Sequence, residues 1–258
     1  MSTRIHPTAL IAADAQIGDE VEIGAYAIIG EGCAIGDDCV IGARATLERN
    51  VILASHVRIG SGTILGGDPQ DLKYKGECTT VEIGEGTTIR EYTTINRGTA
   101  QSFKTTVGRN CFIMSYVHLA HDCHVADGVI LGNTVQMAGH VTVDEKAIIS
   151  GQSAVHQFVQ IGRFSFTGGC SRVSKDIPPY VKANGNPIKL YGLNKVGLER
   201  HGFSEEVQRE LKRAYRLFFN SDMNLSQARE RAESELQRFP EVEEFLSFFD
   251  RSDRGLVI

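Results

Sequence analysis

Tryptophan is absent from this 258-residue chain and proline occurs only 6 times, which excludes a collagen-like or proline-rich polymer. No stretch of roughly 18 uncharged apolar residues occurs, so no segment is expected to span a membrane. The opening Met1-Ser2-Thr3-Arg4-Ile5 lacks the apolar core of a secretory signal. Net positive charge is missing as well: the formal charge is -5, which points away from a nucleic-acid partner. The six cysteines (Cys33, Cys39, Cys78, Cys111, Cys123 and Cys170) form no CxxC pair. That spacing fits a reducing, cytoplasmic setting better than a disulfide scaffold or a structural zinc site. There is no GxSxG, no Walker loop and no GxGxxG after a strand, so neither a serine nucleophile nor a P-loop ATPase is expected.

Glycine, in contrast, is abundant at 27 residues, and it accompanies a repeat. Every sixth position from Ile5 to Leu65 is Ile or Leu. The register breaks at Asp71 and Glu77 and resumes at Ile83, Ile89 and Ile95. It breaks again at Gln101 and then runs from Val107 to Ile161. Thr167 is the one polar member before Val173. A period of six is neither helical nor a simple alternation. It suits short strands joined by tight turns, each strand sending one aliphatic side chain inward. Glycine follows many of these aliphatics directly, as in Ile17-Gly18 and Ile161-Gly162, and is expected to supply a turn backbone that other residues resist. Three strands would close a triangular coil, and coils would stack about 4.8 Å apart as a parallel β-helix. Period alone does not set the hand, and the general crossover rule favours right-handed. Residues 66–82 and 96–106 are polar and are expected to leave the prism as loops, where substrate contacts commonly lie.

Past Val173 the pattern changes. Breakers at Pro178-Pro179 and Gly185-Asn186-Pro187 place a boundary near residue 187, with a β-helix over 1–186 and a helical domain over 187–258. Helical character is expected from about Ile188. Ser204 reads as a helix cap, a second helix is expected over 226–239, and a third follows Pro240. Between Arg172 and Arg216 the Lys and Arg residues outnumber Asp and Glu by ten to five. Solvated helix faces account for single charges, whereas the whole segment suits an acidic partner or an anionic substrate.

Five of the eight histidines fall between His118 and His156. Folded onto 18-residue coils, His121-Asp122, Gly139-His140 and Gln157-Phe158 stack at one corner, with His156 beside them. Three readings compete. The first is general-base chemistry by His121 with a carboxylate tuning it. The second is local satisfaction of each histidine. The third is a three-histidine zinc site, for which no sequence-local ligand pattern speaks. The stacked grouping favours the first.

The segments Gln70-Asp71-Leu72-Lys73-Tyr74-Lys75-Gly76-Glu77, His118-Leu119-Ala120-His121-Asp122-Cys123, Ala138-Gly139-His140-Val141, Val155-His156-Gln157-Phe158, Gly168-Gly169-Cys170-Ser171 and Asp176-Ile177-Pro178-Pro179-Tyr180, with the tail Arg251 to Leu256, carry a further signal. Through them nearly the whole chain resembles the UDP-N-acetylglucosamine O-acyltransferases of lipid A synthesis. The resemblance implies a left-handed parallel β-helix with a C-terminal helical domain, assembled as a homotrimer with active sites between subunits. It implies transfer of an (R)-3-hydroxyacyl group from acyl carrier protein to the 3-hydroxyl of UDP-N-acetylglucosamine. No metal or cofactor is implied beyond the carrier's own phosphopantetheine. By matching motif, His121 takes the role of general base, Asp122 orients it, and the Gly139 N–H serves the oxyanion. His118, His140, His156 and Gln157 resemble substrate-positioning residues. Asp71 and Lys73 resemble sugar and phosphate contacts. Asn194 and Arg200 resemble nucleotide- and pantetheine-side contacts, and Phe166 and Gly169 lie where the acyl chain would run. The chain departs from the family pattern at Asn96 (often His), Val196 (often Glu), His201 (often Arg) and Pro187 (His in some members), which bear on nucleotide affinity and chain length rather than on the base. Rivals on the same scaffold are an N-acyltransferase with an added uridine-binding domain, expected absent here because the repeat starts at Ile5, a γ-type carbonic anhydrase, and a noncatalytic binding trimer.

Overall fold

The computed structural model describes residues 2–257. Strands of mostly two residues recur every six positions and stack into three parallel faces. The first face runs from Arg4–Ile5 through Phe166–Thr167 to Val181–Asn184, and the second from Leu10–Ile11 to Arg172–Val173. The third runs from Gln16–Ile17 to Gln160–Ile161. Register partners such as Arg4 with Glu22 and Ile130 with Ile148 confirm a coil of 18 residues. The fold is a left-handed parallel β-helix, against the general preference for right-handed crossovers.

The aliphatic column fills the prism: Ile29, Leu47, Leu65, Ile89, Ile113 and Leu131 are all essentially inaccessible. A second inner column stands two residues before each of these and is made of smaller side chains, among them Ala27, Ala45, Cys111 and Val129. Thr63, Thr87 and Thr93 share it, and their hydroxyls donate to carbonyls of the next coil at 2.7–3.0 Å. Cys33, Cys39, Cys111 and Cys123 fill the same column as free thiols, so cysteine acts here as a compact apolar residue.

The glycines correct one expectation. Of those that follow the repeat aliphatics, only Gly66 has positive φ. The others are needed for close approach between coils: a Cβ on Gly30 would lie 1.8 Å from the Glu48 carbonyl oxygen. The left-handed turn residue sits two positions further on and is usually not glycine, as at Glu20, Asp38, Tyr116, Asp122, His140 and Phe158, with φ between 56° and 64°. Each such residue costs about 1 kcal/mol or more. Its N–H is recovered in a bond to the corner carbonyl of the preceding coil, as in Asp38 N–H to Asp19 O (2.9 Å) and His56 N–H to Asp37 O (2.8 Å).

Two excursions interrupt the coils, occupying 68–79 and 97–103 between their flanking strands. Both leave the end of the second face and return to the start of the third, on consecutive coils. The chain between residue 188 and the first helix is not helical: Lys189–Leu193 forms an antiparallel strand on Val181–Asn184. Among the described residues four helices follow, α1 (Lys195–Arg200), α2 (Glu205–Phe219), α3 (Leu225–Glu235) and α4 (Pro240–Arg251). Ser204 caps α2, while Asn224 and Gln227 form a capping box that starts α3 one residue before the expected 226, and α3 ends at Glu235 rather than at 239. The tail returns to the prism, where the buried Asp176 carboxylate accepts from Gln160 N–H (2.7 Å) and Ser252 Oγ (2.6 Å).

Leu131→Ala should cost about 2–5 kcal/mol, since neighbouring coils cannot close a gap held open by backbone hydrogen bonds. The urea midpoint measures it, and a cost below about 1 kcal/mol would show that the column collapses freely.

Candidate active site

His121 and Asp122 occupy the two positions of one corner, between the strands His118–Leu119 and His124–Val125. Asp122 is the left-handed residue of that corner (φ 59°), and its carboxylate Oδ2 meets the neighbouring His121 Nδ1 at 2.8 Å. One coil further, His140 sits edge-on to His121 with ring centroids 5.0 Å apart, and Phe158 stacks on His140 at 4.4 Å. Gly139 lies against the imidazole: a Cβ there would come within 2.6 Å of His121 Cε1 and 2.9 Å of Nε2. Only glycine leaves room for the ring. The Gly139 N–H finds no acceptor among the described residues.

The Asp122 side chain is wholly inaccessible, His121 is 12% exposed and His140 14%. Burial alone would push the Asp122 carboxyl up, yet hydrogen bonds from Ser102, His121 and Thr99 hold it below the usual carboxylate range. Burial holds His140 below the ordinary imidazole range, with the Asp122 and Asp71 charges opposing that shift and His121 adding to it. Burial acts in the same direction on His118, whose Nδ1 lies 2.7 Å from Thr94 Oγ1 on the second face.

Ligand atoms of His121, Asp122 and His140 lie within 4.8 Å of one another, a spacing at which a metal ion could be held. The carboxylate argues for acid–base chemistry instead. Oδ2 already accepts from His121 and from Thr99 Oγ1 (2.8 Å), and Oδ1 accepts from Thr99 N–H (2.9 Å) and Ser102 Oγ.

The remaining expected residues fall into separate places. Asp71 and Lys73 ride on the first excursion, which is pinned by the buried Arg97: its guanidinium donates to the Gly66 carbonyl, the Asp68 carboxylate and Tyr74 Oη. Asn96 Nδ2 joins it, bonding the Asp68 carbonyl at 2.8 Å. His156 and Gln157 stand on the His121 edge of the prism, and Arg254 Nη2 from the C-terminal tail lies 3.0 Å from His156 Nδ1. Gly169 stands at a different edge, between the first and second faces, where a Cβ would lie 3.2 Å from the Gly151 carbonyl; Phe166 is on the first face just before it. Asn194 belongs to the third edge: its side chain caps α1 by accepting from Gly197 N–H (3.3 Å) and donates to the Phe164 carbonyl (2.9 Å). His201 is exposed, its Nδ1 2.8 Å from the Gly197 carbonyl and its ring edge-on to Phe164, and Arg200 and Val196 are exposed as well. Sequence reasoning missed Arg97, Thr99, Ser102 and Arg254, since nothing in their local pattern marks a partner on the adjacent coil or a whole domain away.

With this geometry in hand, relatives are informative. The second-domain model of UDP N-acetylglucosamine O-acyltransferase matches residues 176–257, and bacterial transferase hexapeptide models match 2–37, 32–67 and 104–139. An acyl-(acyl-carrier-protein)–UDP-N-acetylglucosamine O-acyltransferase from Burkholderia orbicola is 48% identical over 99% of both chains. The chain belongs to this family of enzymes. An enzyme of the same name from Gloeothece citriformis is also 48% identical, over 91% of this chain and 85% of that one. A solved UDP-N-acetylglucosamine acyltransferase from Bacteroides fragilis superposes with a TM-score of 0.97 at 41% identity, covering 98% of this chain and 100% of that one. The family's Arabidopsis structure reaches 0.82 at 34% identity, covering 98% of this chain and 100% of that one.

His118→Gln should flatten the acid side of the stability profile. The unfolded imidazole takes a proton near pH 6.5 while the buried one resists, so the unfolded chain binds more protons as pH falls and stability drops below about pH 6.5. The loss in melting temperature between pH 7.5 and 5.5 should be smaller in the variant; an equal loss would clear His118 of this role.

Proposed function

We propose that this chain transfers an (R)-3-hydroxyacyl group from acyl carrier protein to the 3-hydroxyl of UDP-N-acetylglucosamine, the first step of lipid A synthesis. The observation that carries the chemistry is the His121–Asp122 pair beside Gly139. A sugar hydroxyl is a poor nucleophile near pH 7 and needs a base that titrates close to neutrality, which imidazole provides. The carboxylate accepts from Nδ1, so Nδ1 bears the proton and Nε2 is the atom that receives the hydroxyl proton. The sugar oxygen attacks the thioester carbonyl carbon, the Gly139 N–H donates to the oxygen that becomes negative, and the C–S bond then breaks. His121 returns its proton to the departing phosphopantetheine sulfur. No step calls for a metal or for a cofactor beyond that phosphopantetheine.

The reading supplies a reason for the scattered residues. His121, Gly169 and Asn194 mark three different edges of one prism. A homotrimer with sites between subunits brings an edge of one prism against its neighbour, so residues far apart in one chain line a common cleft. His118, His140, His156, Gln157, Asp71 and Lys73 would hold the sugar nucleotide on the His121 side. Asn194 and Arg200 would serve the nucleotide and pantetheine, and the carrier, an acidic protein, would meet the basic groove between Lys195, Arg209, Lys212 and Arg216. Both substrates place the reaction in the cytoplasm. No helix is long and apolar enough to cross a membrane.

Purified protein mixed with UDP-N-acetylglucosamine and a panel of (R)-3-hydroxyacyl carrier proteins should yield a UDP-acylated sugar by mass. His121→Ala should cut the rate by about 10²-fold or more while keeping its fold. A folded His121→Ala variant of normal rate would remove the base. No product with any donor would overturn the 3-hydroxyl acceptor and bring a 3-amino analogue into the assay. With the same panel, Gly169→Met should shift preference to shorter chains, and an unchanged profile would take Gly169 and its neighbour Phe166 out of the acyl groove.

A further inference from the structure

We propose that Ser102 and Thr99 are positioning residues of the reaction, acting on His121 through the Asp122 carboxylate. At regular corners the left-handed residue sends its N–H to the corner carbonyl of the preceding coil, as His140 does to His121 (3.1 Å) and Phe158 to Gly139 (3.1 Å). At Asp122 the preceding coil is opened by the second excursion, and that bond is replaced. Thr105 Oγ1 accepts the Asp122 N–H at 2.9 Å, and the excursion folds over the carboxylate. Thr99 donates twice, from its N–H to Oδ1 (2.9 Å) and from its hydroxyl to Oδ2 (2.8 Å). Ser102 Oγ reaches Oδ1. The Ser102 oxygen also lies 2.9 Å from the Lys104 carbonyl, but it has one proton and the ionised carboxylate is the stronger acceptor.

Two consequences follow for His121. Donors on both oxygens fix the carboxylate plane, so Oδ2 stays aimed at Nδ1. They also draw charge away from Oδ2, which limits how strongly the carboxylate stabilises a protonated imidazole. The other groups facing the pair are His140, whose Nδ1 is 3.7 Å from Oδ2, Asp71 acting on His140, and the Cys123 thiol, which burial pushes up to about 12 and keeps neutral. None of them donates to Oδ1, whose donors among the described residues, Thr99 N–H and Ser102 Oγ, both come from the excursion.

The inference rests on His121 being the base, and the test separates the two. Ser102→Ala, Ser102→Thr, Thr99→Ser and His121→Ala are made in the full chain. Each is assayed with UDP-N-acetylglucosamine and its best (R)-3-hydroxyacyl carrier protein between pH 5.5 and 9. Ser102→Ala should lower kcat about threefold to tenfold with KM for the sugar nucleotide held within about twofold. It should also move the acid limb of kcat/KM upward by about half a pH unit, because more carboxylate charge then faces the imidazolium. Ser102→Thr and Thr99→Ser keep a hydroxyl and should leave both at the wild-type values. An acid limb that stays in place in Ser102→Ala while His121→Ala is inactive would overturn this inference and leave the base intact. A loss that follows a lowered melting temperature at every pH would overturn it as well, making the contact merely structural. An active His121→Ala would overturn the base and this inference together.

Discussion

Everything in this molecule follows from the stacking of one coil on the next through backbone hydrogen bonds. Amide N–H groups meet carbonyls of the neighbouring coil at about 2.7–3.2 Å along all three faces. That separation leaves no space for a Cβ at positions such as Gly30, and it sets small side chains in the second inner column. It also makes the corners recur in register, so that chemistry on one coil lies directly over chemistry on the next. His121, Gly139 and Gln157 are aligned for that reason, and Gly139 must lack a side chain for the imidazole to lie against it.

The site arises where the stacking is interrupted. Both excursions leave the same edge on successive coils, just before His121. They bring polar groups into a region where a carboxylate and a guanidinium are buried, which is tolerable only because each is hydrogen-bonded. Arg97 ties the first excursion to the second, and Thr99 ties the second to Asp122. The first excursion and the His121–Asp122 pair therefore share one framework, although Lys73 and His121 are far apart in sequence.

Much of the prism was legible in the residues because burial leaves a period: Ile and Leu at every sixth position can only face one interior. The corner conformation was not legible, since Tyr116, Asp122 and Phe158 carry no local sign of left-handed backbone. The glycines misled for the same reason, being placed by contact between coils rather than by their own torsion angles. The ribbon Lys189–Leu193 was read as helix because its pairing with Val181–Asn184 is a tertiary contact. Within the site, His121, Asp122, Gly139 and His140 could be brought together by counting eighteens. Ser102, Thr99, Arg97 and Arg254 could not, because excursions and the tail follow no period.

The sequence by itself determined the repeat, the inward column, the stacked histidines and the family, all of which depend on local spacing or on motif. The tertiary structure alone decided how Asp122 is clothed. Its neighbour in sequence supplies one hydrogen bond, while a loop some twenty residues earlier supplies the rest. Whether a buried carboxylate stays ionised depends on the donors around it in space, and no pattern along the chain records those.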